Sequence, residues 1–173
     1  MQSALITCGA ILGTILFWAM SAQRRLVLLD ENINNAMNQI GVQLSSRFDT
    51  LVTLLDLTKE YASHEGETLI ETIKSARSDI TTKSTPDDVQ RQENVIGEVL
   101  GKIAIISEQY PELKANENYI KTMDAAETFE NMLRTSRLIY NVSVNKLNRE
   151  IRVLPNSVIA GILGFSVRNY VEE

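Results

Sequence analysis

From Met1 to Gln23 the chain carries no charged side chain, and this constrains the fold more than any other feature. As a helix, the run Ala4–Ala22 would be about 28 Å long, close to a hydrocarbon core of roughly 30 Å. Buried helices of soluble cores seldom stay uncharged beyond about 14 residues. Residues 1–23 therefore read as a transmembrane anchor, with Ala4 and Ala22 near its ends. Gly9 and Gly13 form a G-x-x-x-G spacing that would let two spans approach closely, and Trp18 stands where an indole can lie at headgroup level. The single cysteine, Cys8, falls inside the run and excludes an intrachain disulfide. It reads as a small lipid-facing hydrophobe, because Leu5-Ile6-Thr7 ahead of it lacks the features of a lipid-attachment site.

Positive charge follows the run, at Arg24-Arg25, and none precedes it apart from the α-amino group. A cleaved leader has the opposite order, and basic residues stay on the cytoplasmic side. The expected topology is a single pass in a bacterial inner membrane, N-terminus outside and domain in the cytoplasm. The alternative is cleavage after Ser21 with a periplasmic domain.

All 17 Lys+Arg and 22 Asp+Glu fall from Arg24 onward, for a net charge of −5, so the remainder is mildly acidic and shows no basic stripe for nucleic acid. Eight Gly and three Pro are too few for a turn-rich sandwich or barrel. Helical periodicity runs through Leu29, Ile33, Ala36, Ile40 and Leu44, and again from Leu51 through Leu69 and Ile73 to Ile80. Ser45-Ser46 and Asp49 make a break between these stripes plausible without forcing it. Thr81–Asp88 is a polar loop, a third helix ends at Tyr110-Pro111, and Gly97 and Gly101 on it are expected to mark a close helix contact. A fourth helix spans about Asn116 to Val153.

The expected fold is all-α: an N-terminal transmembrane helix followed by an antiparallel up-and-down four-helix bundle over residues 24–153. Such a path would bring Thr81–Asp88 and the C-terminal tail beside the bilayer. The fourth helix carries the stripe Met123, Ala126, Glu130, Leu133, Arg137, Tyr140, Val144, Leu147 and Ile151, so two charges sit on its core-facing seam. Glu130 and Arg137, about 10.5 Å apart along the axis, need partners on other helices. Arg47 is the candidate for Glu130, and Glu65 or another second-helix acid for Arg137. These four residues form an expected interior polar layer that sets helix register.

Residues 154–173 form an apolar tail too short to span. Ile159, Ile162, Leu163 and Phe165 either fold over the open end of the core or contact lipid or a partner's span.

The segments Ile40-Gly41-Val42-Gln43-Leu44-Ser45-Ser46-Arg47-Phe48-Asp49, Tyr61-Ala62-Ser63-His64-Glu65, Glu108–Asn116, Tyr140-Asn141 and Leu154-Pro155-Asn156-Ser157 together resemble the LemA family. The resemblance implies a bacterial, single-pass, membrane-anchored helical bundle, with some relatives associated with magnetosome membranes and no established catalysis. The chain departs from the family pattern at Leu51-Val52-Thr53-Leu54, at Leu147-Asn148 and at Ser46 beside Arg47.

Catalytic signatures are lacking in the sequence. A di-metal bundle needs a Glu-x-x-His motif on each of two helices, whereas the chain has one histidine, His64. No phosphate-binding Gly-Lys-Ser/Thr loop occurs. The expectation is a non-enzymatic scaffold or interaction module without cofactor, catalytic residues or metal ligands. Its expected partners are membrane lipid and unidentified proteins, with a homo-oligomer allowed. A membrane-organising factor is the alternative, and carboxylate chemistry at Glu65 and Glu130 is a third.

Overall fold

The computed structural model describes residues 2–172, apart from the side chains of Ala4, Leu5 and Glu65. Six helices account for most of the described residues: α1 (Gln2–Lys59), α2 (Ser63–Ala76), α3 (Pro86–Gln109), α4 (Pro111–Lys114), α5 (Glu117–Arg152) and α6 (Asn156–Ile162). No strand occurs among the described residues. The protein is all-helical, and α1 is the one described helix long and apolar enough to cross a membrane.

No break occurs at Ser45–Thr50, because α1 runs on to Lys59. The hydroxyls that could have ended the helix are spent inside it: Ser46 donates to the Val42 carbonyl (3.1 Å) and Thr50 to that of Ser46 (2.8 Å). Asp49 caps nothing and instead accepts from Arg77 Nη1 at 2.6 Å. Leu44, Phe48, Leu51, Leu54 and Leu55 are buried across the expected break, so one apolar face continues through it. Reversal comes later, at Glu60–Ala62, where the amides of Tyr61 and Ala62 both return to the Thr58 carbonyl. Gly66 then brings α2 against α1, since a Cβ there would stand 3.1 Å from Lys59 Cα.

Helix α2 also stops short of the expected Ile80, with Arg77 leaving in an extended conformation. The connection passes so close to α1 that a Cβ on Gly41 would lie 2.3 Å from the Ile80 carbonyl oxygen. Gln92 holds the same connection by donating to the Ser78 carbonyl at 2.6 Å. Thr85 and Asp88 then form a capping box, with Pro86 in the first turn of α3. Asn116 opens α5 by accepting from the amides of Asn118 and Tyr119.

Packing divides the chain into two compact units. One comprises the residues up to Ile33 with Asn141–Tyr170; the other is built on Asn34–Tyr140. In the second unit the core is Ile40, Leu44, Phe48, Leu54, Leu55, Ile73, Val89, Ile96, Val99, Ile103 and Leu133. Each such side chain contributes about 1.5–3 kcal/mol relative to exposure, and together they fix this unit.

In the first unit Ala22, Leu26, Val144, Leu147 and Ala160 are buried, while Ile11, Leu12, Leu16 and Phe17 remain exposed on α1. Helix α6 closes in a Schellman arrangement: the Phe165 amide donates to the Ala160 carbonyl, the Gly164 amide to that of Gly161, and Gly164 takes φ +75°.

Gly97 and Gly101 do not mark a close helix contact. Both are exposed, and a Cβ on either would meet nothing within 4 Å. The buried face of α3 is carried instead by Val89, Ile96, Val99 and Ile103, which leaves the glycines on its outer side.

Candidate functional site

The heptad seam of α5 turns Leu133, Tyr140, Val144 and Leu147 inward, and Glu130 and Arg137 ride on the same seam. Glu130 reaches Arg47 of α1, with Nη2 at 2.5 Å from Oε2. Arg137 reaches Glu93 of α3, its Nη1 lying 2.9 and 2.8 Å from the two carboxylate oxygens. The side chain of Arg47 is 9% exposed, that of Arg137 13% and that of Glu93 10%, whereas Glu130 opens to solvent.

The two pairs act on each other. Burial lowers the Arg47 pKa from its ordinary value, opposed by the charges of Glu130 and Glu93. Burial likewise raises the Glu93 carboxyl, opposed by Arg137 and then Arg47. Two cations and two anions thus share one layer on α1, α3 and α5. Arg137 Nε is buried there without a hydrogen-bond partner.

Neutralised charges held on three helices suit register control: a slip of any one helix would leave an ion unpaired in a poorly solvated interior. For catalysis the layer offers little, since each carboxylate is engaged by a guanidinium that cannot give up its proton.

Arg137 takes its partner from α3 and not from the second helix. Glu93 lies four residues after Val89 and three before Ile96, both buried, so its position on the inner face was readable from spacing. The side chain of Glu65 lies outside the described residues, as does that of Ala4. His64 is exposed on the first turn of α2 and lines an open groove of about 410 Å³ with Leu69, Lys102, Ile106 and Tyr110. Among the described residues no cluster of His, Cys, Asp and Glu could hold a metal ion.

Along the apolar part of α1, Gly9 and Gly13 are exposed with nothing within 4 Å of an added Cβ, Trp18 is half-buried, and Ala22 is buried. In the tail, Ile159 and Phe165 are half-buried while Ile162 and Leu163 are exposed. Beyond α6 the chain is clamped by Asn148, whose amide accepts from the Arg168 N–H and donates to the Arg168 carbonyl, both at 2.9 Å. Arg168 also reaches Asp30 at 2.9 Å. Sequence patterning gave no sign of this clamp, because Asn148 reads as an ordinary polar position on a long helix.

An all-helical chain with one candidate membrane helix and an interior ionic layer is the class that these features define. The sequence profile of the LemA family matches residues 36–173, and the chain belongs to that family. It is 25% identical to Protein LemA of Metamycoplasma hominis over 150 residues, 84% of this chain and 67% of that protein. It is 31% identical over 77 residues to the magnetosome proteins MamQ 1 and MamQ 2 of Paramagnetospirillum magneticum. That match covers 44% of this chain, which spans little more than a quarter (28%) of each magnetosome protein. Family membership and these likenesses suggest membrane association.

Proposed function

We propose that this chain is a non-enzymatic, single-pass protein of a bacterial inner membrane, in which α1 crosses the bilayer and continues into a cytoplasmic helical bundle serving as a scaffold. The carrying observation is that one uninterrupted helix, Gln2–Lys59, bears both the exposed apolar segment and Arg47 of the buried layer. The second half of α1, α2, α3 and α5 would form the antiparallel four-helix bundle. Supporting contacts are Lys59 with Glu67, Arg47 with Glu130, and Arg137 with Glu93. Arg24 and Arg25 after the apolar segment support the cytoplasmic side for the domain.

A scaffold must have partners, and these can be captured. In-cell crosslinking from Lys83, in the exposed connection between α2 and α3, should retain the same proteins in cells making the chain with and without residues 158–173. Loss of the whole partner set on removing the tail would contradict a scaffold role for the bundle.

The likeness to the magnetosome proteins over 77 residues favours one second reading, a factor that organises a membrane compartment. On that reading, deletion of residues 158–173 abolishes clustering of the protein in the membrane. On the scaffold reading it does not.

A further inference from the structure

Charge in this chain is segregated between the units. The one that carries the apolar segment holds six basic side chains, Arg24, Arg25, Lys146, Arg149, Arg152 and Arg168, against three acidic ones, Asp30, Glu31 and Glu150. The chain as a whole stands at −5, so the basic excess is confined to this unit.

The same unit exposes hydrocarbon on its tail. No residue between Arg152 and Arg168 is charged. Leu154 is 74% exposed and Ile162 76%, with Val158 exposed between them at a spacing of four residues, while Ala160 is fully buried. One flank of α6 and its lead-in is thus an apolar strip without cover in the structure.

Its level along α1 is fixed by polar contacts. Asn156, the first residue of α6, donates to Glu150, and Glu150 pairs with Arg25 at 3.2 Å. Arg25 lies three residues, about 4.5 Å, past Ala22. The strip therefore begins where the apolar segment ends, and the exposed Arg24, Arg149 and Arg152 belong to the same unit.

We propose that the Leu154–Ile162 flank lies in the interface of an anionic leaflet, its apolar side chains among the first acyl carbons and the arginines against lipid headgroups. An apolar strip beside excess Arg is the pattern of interfacial elements that recognise anionic membranes. An anionic bilayer matches both the apolar side chains and the arginines, and it is already adjacent. The proposal rests on the reading of α1 as a membrane span.

The test uses the full chain in vesicles of phosphatidylcholine with or without phosphatidylglycerol. An environment-sensitive fluorophore is placed on Ile162→Cys in a Cys8→Ala background, on Val42→Cys in the same background as a control, and on native Cys8 in the unaltered chain. Nitroxide lipids labelled near the headgroup should quench Ile162→Cys, more strongly with phosphatidylglycerol present, and iodide should quench Val42→Cys. Substituting Arg149→Gln and Arg152→Gln should remove the dependence on phosphatidylglycerol. Accessibility of the 162 position to iodide, with Cys8 quenched by deep nitroxides, overturns the proposal and leaves the span intact. Protection from both quenchers indicates a protein contact and also overturns it, as does quenching indifferent to lipid charge. A Cys8 label open to iodide shows that the span reading itself has failed.

Discussion

Glu93 of α3 and Arg137 of α5 meet with one guanidinium nitrogen 2.9 and 2.8 Å from the two carboxylate oxygens, in a layer shared with Arg47 and Glu130. Arg137→Leu removes the positive partner of a carboxylate that is almost fully enclosed. Stability should fall by about 3–5 kcal/mol, the cost of leaving a buried charge unpaired. The double variant Glu93→Leu, Arg137→Leu should recover most of this, because apolar replacement of a whole buried pair is often close to neutral. Chemical denaturation of the full chain in detergent measures both.

Glycine matters at Gly41 and not at Gly97. Gly41→Ala forces a methyl to within 2.3 Å of the Ile80 carbonyl, where backbone has to move, and should cost about 1–3 kcal/mol. Gly97→Ala and Gly101→Ala meet nothing within 4 Å on an exposed helical face, and each should stabilise by about 0.5–1 kcal/mol. Thermal melts of the three variants give the opposite signs directly.

Asn148→Ala removes both bonds that hold the Arg168 backbone. At about 0.5–1.5 kcal/mol per bond, local opening of the tail should become roughly five- to a hundredfold more frequent. The readout is faster amide exchange at Arg168, with exchange in α3 unchanged.

Two carboxyls should give opposite pH dependences. Asp88 is held below its ordinary 3.8 by the Thr85 backbone amide and then the Thr85 hydroxyl, so its stabilisation is present above that value and fades as pH falls through the folded pKa. Glu93 is held above its ordinary 4.5 by burial, so the folded state keeps the proton longer than the unfolded chain. Its contribution is greatest below 4.5 and declines as pH rises through the folded pKa. Thr85→Ala should cost about 1 kcal/mol near neutral pH and weaken the acid-side fading. Stability measured from pH 3 to 8 in Thr85→Ala and in the Glu93→Leu, Arg137→Leu double variant separates the contributions.

Much of the helical content was legible because it rests on local rules. The apolar run, the Thr85-Pro86-Asp87-Asp88 start of α3, the Tyr110-Pro111 stop and the α5 seam each announce themselves in a few residues. Ser45–Thr50 misled for an equally local reason: hydroxyls that can cap a helix can also bond back into one, and burial of Phe48 and Leu51 decided between the two. The Arg47–Glu130 contact followed from needing a cation for a seam carboxylate. Val89 and Ile96 place Glu93 inward, but acids on more than one helix satisfy the need of Arg137 for a partner, so spacing alone does not select it. The Gly41–Ile80 approach and the Asn148 clamp join segments distant in sequence, and no periodicity encodes them.

The measurement that bears most directly on the whole reading is protease protection in intact and permeabilised cells. If α1 crosses the membrane with its Arg24-Arg25 end inside, protease added to intact cells leaves residues 24–173 undigested, and permeabilisation exposes the connection between α2 and α3 to cleavage. Digestion of that region in intact cells, or a mature chain beginning near Ala22, would contradict it.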